Sequence, residues 1–124
     1  MSREYCDYIV DALSPLRGVS ARAMFGGYGV YRSGLMFAII VEDVLYFKVT
    51  DLNRKDFEDA GAQPFEYQAK GKRISLSYWA APAEVLDDEE TLITWAGTAC
   101  RAARESKDAK AKRPAKKKAS KTKK

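Results

Sequence analysis

Apolar side chains recur at helical spacing near the start of the chain. Tyr5, Ile9, Ala12, Leu13 and Leu16 fall at i, i+4, i+7, i+8 and i+11, with Arg3, Glu4, Asp7 and Asp11 mostly on the opposite face. This spacing predicts an amphipathic first helix. Ser14-Pro15 and Gly18 break it, because proline disfavours helix in the residue before it and glycine leaves the helix readily. From Ser20 to Val49 the pattern shortens to β-rich runs at Ala21 to Phe25, Tyr28 to Tyr31, Leu35 to Val41 and Val44 to Val49. Gly26-Gly27, Ser33-Gly34 and Glu42-Asp43 separate them, and two-residue loops of this kind predict an antiparallel meander. Leu45, Phe47 and Val49 alternate with Tyr46, Lys48 and Thr50, the signature of a strand with one face on a core and one wetter face. Leu35 to Val41 is apolar throughout and suits the central strand.

Further along, Asp51 is placed to cap a helix running to about Ala60, with Gly61 closing it. Phe65 to Tyr67 predicts a short edge strand, and the Lys70-Gly71-Lys72 turn leads into a strand over Arg73 to Trp79. Pro82 opens a short helical segment through Leu86. Asp87 is the expected cap of a final helix, with Asp88, Glu89 and Glu90 in its first turn and Arg101 and Arg104 near its end, matching the helix dipole. Leu92, Trp95, Ala96, Ala99 and Ala103 form its buried stripe. The expected fold class is therefore α+β: an antiparallel meander sheet of about five strands flanked by N-terminal, middle and C-terminal helices.

Charge divides the chain in two. Of 124 residues, those from 107 to 124 hold ten basic side chains and one acid, leaving 12 basic and 16 acidic side chains in residues 1–106. The basic character thus belongs to the end of the chain, and the remainder is mildly acidic. Residues 107–124 contain no aromatic and no aliphatic larger than alanine, so they are expected to be a disordered tail beyond a 1–106 domain. Lys107, Lys110, Lys112, Arg113, Lys116, Lys117, Lys118, Lys121, Lys123 and Lys124 attract polyanions, and nothing there can read base edges, so contact with DNA or RNA would be nonspecific.

Composition narrows the chemistry. The chain has no histidine, which removes the commonest general base, nucleophile activator and metal ligand. Its two cysteines, Cys6 and Cys100, lack the spaced partners of a zinc site and read as reduced, half-buried thiols. Neither a metal nor a cofactor is expected. The acidic run Asp87 to Glu90 is explained by capping, since neighbouring helical side chains diverge. Phe25-Gly26-Gly27-Tyr28-Gly29 lies between two strands, not between a strand and a helix, and so reads as a turn, with Gly29 admitting a close neighbour or a bulge, and not as a phosphate loop. Leu35 to Val41 is shorter than the roughly 20 residues of a membrane span, and acids at Glu4, Asp7 and Asp11 do not suit a signal peptide. A cytoplasmic, non-enzymatic protein is the expectation.

The aromatic residues Tyr28, Tyr31, Tyr46, Tyr67, Tyr78, Trp79 and Trp95 suit core and cross-strand packing better than a base-stacking platform, because few cations lie in or beside the strands. Tyr78-Trp79 beside the Pro82 turn is the expected protein-docking patch.

Several motifs occur in order over about residues 3 to 104: Arg22-Ala23-Met24-Phe25-Gly26-Gly27-Tyr28-Gly29-Val30-Tyr31, Gly34-Leu35-Met36-Phe37-Ala38, Leu45-Tyr46-Phe47-Lys48, Pro64-Phe65-Glu66-Tyr67, and Ser77-Tyr78-Trp79 through Pro82 to Leu86-Asp87-Asp88. Together they resemble the N-terminal domain of the TfoX/Sxy family. The resemblance implies an α+β domain with an antiparallel sheet flanked by helices, and no catalytic residue or cofactor. It further implies a bacterial regulator of competence genes, acting beside the cyclic-AMP receptor protein. The lysine-rich segment stands where full-length members carry a second domain. Two functions are therefore expected as alternatives: a transcription-associated accessory protein with a docking body and a nucleic-acid-binding tail, or a protein-interaction or homodimerising module with no DNA role.

Overall fold

A computed structural model describes residues 3–24, 26–69 and 71–112, with the backbone alone for 67–69, 72–76 and 108–112. The first helix, α1 (Arg3–Ala12), buries Cys6, Ile9 and Ala12, and Leu13 follows them into the core. A single 3-10 turn over Ser14–Leu16 carries Pro15 at its start, where the missing N–H has no partner to lose. Arg17 and Gly18 then take positive φ and reverse the chain.

Four strands follow as the expected meander: β1 (Val19–Met24), β2 (Gly27–Arg32), β3 (Leu35–Val41) and β4 (Val44–Lys48). Ser33-Gly34 and Glu42-Asp43 both have positive φ at each central residue, the backbone that matches the right-handed twist of a tight hairpin. A register shift opposite Val30 and Tyr31 leaves Phe37 as an extra residue in β3. The bulge lies there and not at Gly29. It lies at the start of a run, Phe37 to Ile40, that is buried throughout, as suits a strand apolar on both faces.

The second helix, α2 (Arg54–Asp59), is shorter than expected and is not capped by Asp51. Asp51 pairs instead with Arg54. Asn53 precedes the helix, but its side chain staples the preceding loop: Oδ1 accepts from Thr50 N–H (2.9 Å) and Nδ2 donates to the Lys48 carbonyl (3.0 Å). At the other end Gly61, with φ of +75°, donates to Glu58 (3.0 Å) while Ala62 donates to Phe57 (2.9 Å), a glycine-closed C-terminus as expected.

Strands β5 (Pro64–Ala69) and β6 (Lys72–Ala80) complete a six-stranded antiparallel sheet in the order β1-β2-β3-β4-β6-β5. β5 is an edge strand, longer than expected, and β6 returns to pair with β4. The short α3 (Ala83–Leu86) follows Pro82, and Asp87 closes α3 rather than opening the next helix. The cap of α4 (Glu89–Lys112) is Asp88, whose carboxylate accepts from both the N–H (3.0 Å) and the hydroxyl of Thr91. These bonds hold the Asp88 carboxyl below the usual carboxylate range.

Leu92, Ala96, Ala99 and Ala103 are buried as expected, and Trp95 is half-buried. The helix, however, does not end near Arg104. It continues through the expected break after Ser106 to Lys112, because alanine and lysine are strong helix formers and no glycine or proline interrupts residues 98–112. Lys107, Lys110 and Lys112 therefore lie on α4, and residues 113–124 of the expected tail lie outside the described residues.

The helices share one face of the sheet. Val30, Ala38, Ile40, Leu45 and Phe47 form a single cluster with Ile9, Leu13, Phe57, Val85, Leu92 and Ala96. No described helix is long and apolar enough to cross a membrane.

Candidate interaction surface

Strand alternation decides what the other face carries. Val30, Ala38, Phe47 and Trp79 are cross-strand partners on the helix-covered side. The next residue of each strand points away from the helices. A second row therefore crosses the opposite face through Gly29, Ile39, Tyr46 and Ala80, with the cross-strand pairs Tyr31–Met36 and Lys48–Tyr78 beside it.

The side chains on this face pack as pairs. Tyr46 meets Phe65 edge to face at 4.9 Å between centroids. The Arg22 guanidinium lies 5.3 Å from the Tyr31 ring centre, and Lys48 Nζ lies 5.4 Å from that of Tyr78 while donating to Ser77 Oγ at 2.7 Å. Gly29 makes a gap between them: a β carbon there would come within 2.8 Å of Met24 Sδ and 2.9 Å of Met36 Sδ. Two thioethers, soft and adaptable, thus roof the glycine at the middle of an aromatic surface with a cation over each of two tyrosines.

Burial pushes the Tyr78 hydroxyl up to about 12, with Tyr31 adding to the shift although two strands lie between them. Tyr46 is also raised, by burial first and then by Glu42. Between about pH 10 and 12 the folded chain keeps a proton on Tyr78 that the unfolded chain releases, so stability falls as pH rises through this window. Tyr78→Phe is expected to remove that part of the alkaline slope, measured by urea unfolding at a series of pH values; an unchanged slope would place Tyr78 in water.

The structure separates the expected docking pair. Tyr78 is on the open face, whereas Trp79 points to the helices and meets Phe57 at 6.3 Å, since successive strand residues face opposite ways. The aromatic residues sort likewise. Tyr28, Trp79 and Trp95 pack against the core cluster, Tyr31, Tyr46 and Tyr78 lie on the open face, and the Tyr67 side chain is outside the described residues. The alternation in β4 signalled Tyr46 and Lys48, but Met24, Met36 and Phe65 needed the strand pairing to be found.

Other polar clusters serve structure. The Arg32 guanidinium donates from Nε and Nη2 to the Leu16 carbonyl (3.0 and 2.8 Å) and from Nε to that of Arg17 (3.1 Å), pinning the turn before β1. Arg32 and Arg104 also favour the Cys100 thiolate, but burial outweighs them and pushes the thiol up; burial does the same at Cys6. Both cysteines are free. A cavity of about 60 Å³ between α2 and α4 is lined by Asn53, Asp56, Phe57, Thr94, Trp95 and Thr98. Among the described residues no three of the metal-ligating acid and cysteine side chains converge.

These features define a two-layer α+β protein, a six-stranded antiparallel sheet with its described helices on one face and an aromatic opposite face. Residues 11–103 match the family model of the TfoX N-terminal domain, and the chain belongs to that family. No curated protein matches the chain.

Proposed function

We propose that the chain is a non-enzymatic, transcription-associated accessory protein whose body docks a protein partner through the open sheet face and whose basic C-terminal segment holds nucleic acid without sequence preference. The observation that carries the docking half is the two cross-strand pairs Tyr31–Met36 and Lys48–Tyr78, part of a largely apolar and aromatic face left uncovered by the described helices. Such a surface supplies contact area at low conformational cost, while its two cations select an acidic partner. Family membership supports the regulatory setting, and by resemblance the cyclic-AMP receptor protein is the partner to try first.

The division of labour has a direct test. Seven of the ten terminal cations lie after Lys112, so a chain ending at Lys112 keeps α4 whole and removes most of the charge. Its duplex-DNA affinity is expected to fall steeply, with the slope of log K against log salt shallower by up to about 6, the value for seven phosphate contacts. Equal slopes for the two chains would reject the role of the segment. Lys48→Glu is expected to weaken the complex with the cyclic-AMP receptor protein at least tenfold while leaving DNA retention unchanged. A concentration-dependent dimer in sedimentation, abolished by Lys48→Glu, would favour the alternative of a self-associating module.

A further inference from the structure

The two edges of the sheet are built differently. β5 starts with Pro64, shifts register before Glu66 and so carries the usual devices that discourage another strand from adding. β1 has neither. It is a regular six-residue strand paired in unbroken register with β2, without proline, and its one charged side chain, Arg22, is turned to the open face over Tyr31. Among the described residues its other edge has no strand neighbour.

Beside that edge runs α1, and between them lies a groove of about 480 Å³ lined by Asp7, Val10 and Asp11 of the helix, Ser14 and Gly18 of the turn, and Val19 and Ala21 of the strand. Val10, Val19 and Ala21 give it an apolar floor, and Asp7 and Asp11 an acidic side, with Asp7 also 4.0 Å from the exposed Arg3 guanidinium. Because α1 turns directly into β1, helix and strand line the groove side by side.

We infer that this groove takes an extended basic peptide, which adds to β1 as a seventh strand. A strand of six residues offers outward-facing donors and acceptors at about three of them. Asp7 and Asp11 stand four residues apart on a helix, about 6 Å along its axis. Alternate residues of an added strand repeat at about 6.6 Å, so lysine or arginine at i and i+2 on the helix-facing side meets both carboxylates. The methylene stems of those side chains cover the apolar floor. The partner is thus a segment with β-branched residues alternating with lysine or arginine. This site is independent of the open-face reading, because it uses the β1 edge and α1 instead of the open face, and the opposite charge.

The test uses three labelled octapeptides on the intact protein: valine alternating with lysine, proline alternating with lysine, and valine alternating with glutamate. The valine-lysine peptide is expected to bind at least tenfold more tightly than either control, and to slow hydrogen exchange along β1. The proline peptide carries the same charge but loses every second backbone N–H and is held away from the pleated strand conformation by its prolines, so equal binding would overturn strand addition. The double variant Asp7→Lys, Asp11→Lys is expected to reverse the preference between lysine and glutamate peptides; should it misfold, Asp7→Asn with Asp11→Asn is expected to abolish it. Absence of binding at millimolar peptide, or exchange changes confined to the open face, would also overturn the assignment. So would β1 amides already protected in the peptide-free protein, either by a dimer or by contacts that vanish when the chain ends at Lys112.

Discussion

Phe57→Ala is expected to cost about 3–5 kcal/mol, the usual range for removing a fully buried phenyl ring. Phe57 is the one buried residue of α2, and its ring meets Trp95 at 4.8 Å, Trp79 at 6.3 Å and Phe47 at 6.4 Å, all edge to face. It therefore ties α2 to two strands and to α4 through a single side chain. A six-residue helix has no stability of its own in water, so losing the ring frees α2 as well as opening a cavity. For a domain of this size the melting temperature should drop by about 15 °C or more. Near-UV circular dichroism should lose the tryptophan signal before far-UV signal declines. Phe57→Leu, which keeps most of the volume, is expected to cost roughly 1–2 kcal/mol. If the alanine variant melted within about 5 °C of the parent, the ring would not be what docks α2.

Gly27→Ala is expected to cost about 3 kcal/mol or more, for a reason of a different kind. A β carbon at Gly27 would stand 2.3 Å from the Ile40 carbonyl oxygen and 3.3 Å from Val41 Cγ2. Gly27 pairs with Val41 and Tyr28 with Ile40, so the obstructing oxygen belongs to the adjacent strand and cannot swing aside as a side chain would. Relief requires opening the end of the β2–β3 ladder. Gly34→Ala is the control: its φ of +79° strains an alanine, but nothing lies within 4 Å, so a cost of about 1–2 kcal/mol is expected. Urea unfolding of both variants distinguishes the cases, and equal costs would mean that backbone conformation, not the close approach, requires glycine at position 27.

These two positions show where sequence reading stops. The glycine run was legible as a turn with a close neighbour, but the closest approach is at Gly27 and the bulge is at Phe37, both settled by pairing between β2 and β3. Local chemistry misassigned caps in the same way. Asp51 and Asp87 are good caps by type, yet Asn53 precedes α2 and Asp88 caps α4, because Asp87 already closes α3. The docking patch Tyr78-Trp79 joined neighbours in sequence that a strand places on opposite faces.

What the chain dictates locally is nonetheless extensive. The period of apolar residues sets α1, the buried stripe of α4 and the faces of β4, and the turn residues set three of the hairpin and helix ends, because each depends on backbone preferences within a few residues. Charge composition likewise settles that the acidic body and basic end are electrostatically distinct. Only tertiary structure decides that β6 lies between β4 and β5, that Tyr31 and Tyr78 share a surface, and that β1 remains an edge beside Asp7 and Asp11. Each of these is a pairing of distant segments, selected by which apolar faces can be buried together, and no local periodicity encodes that choice.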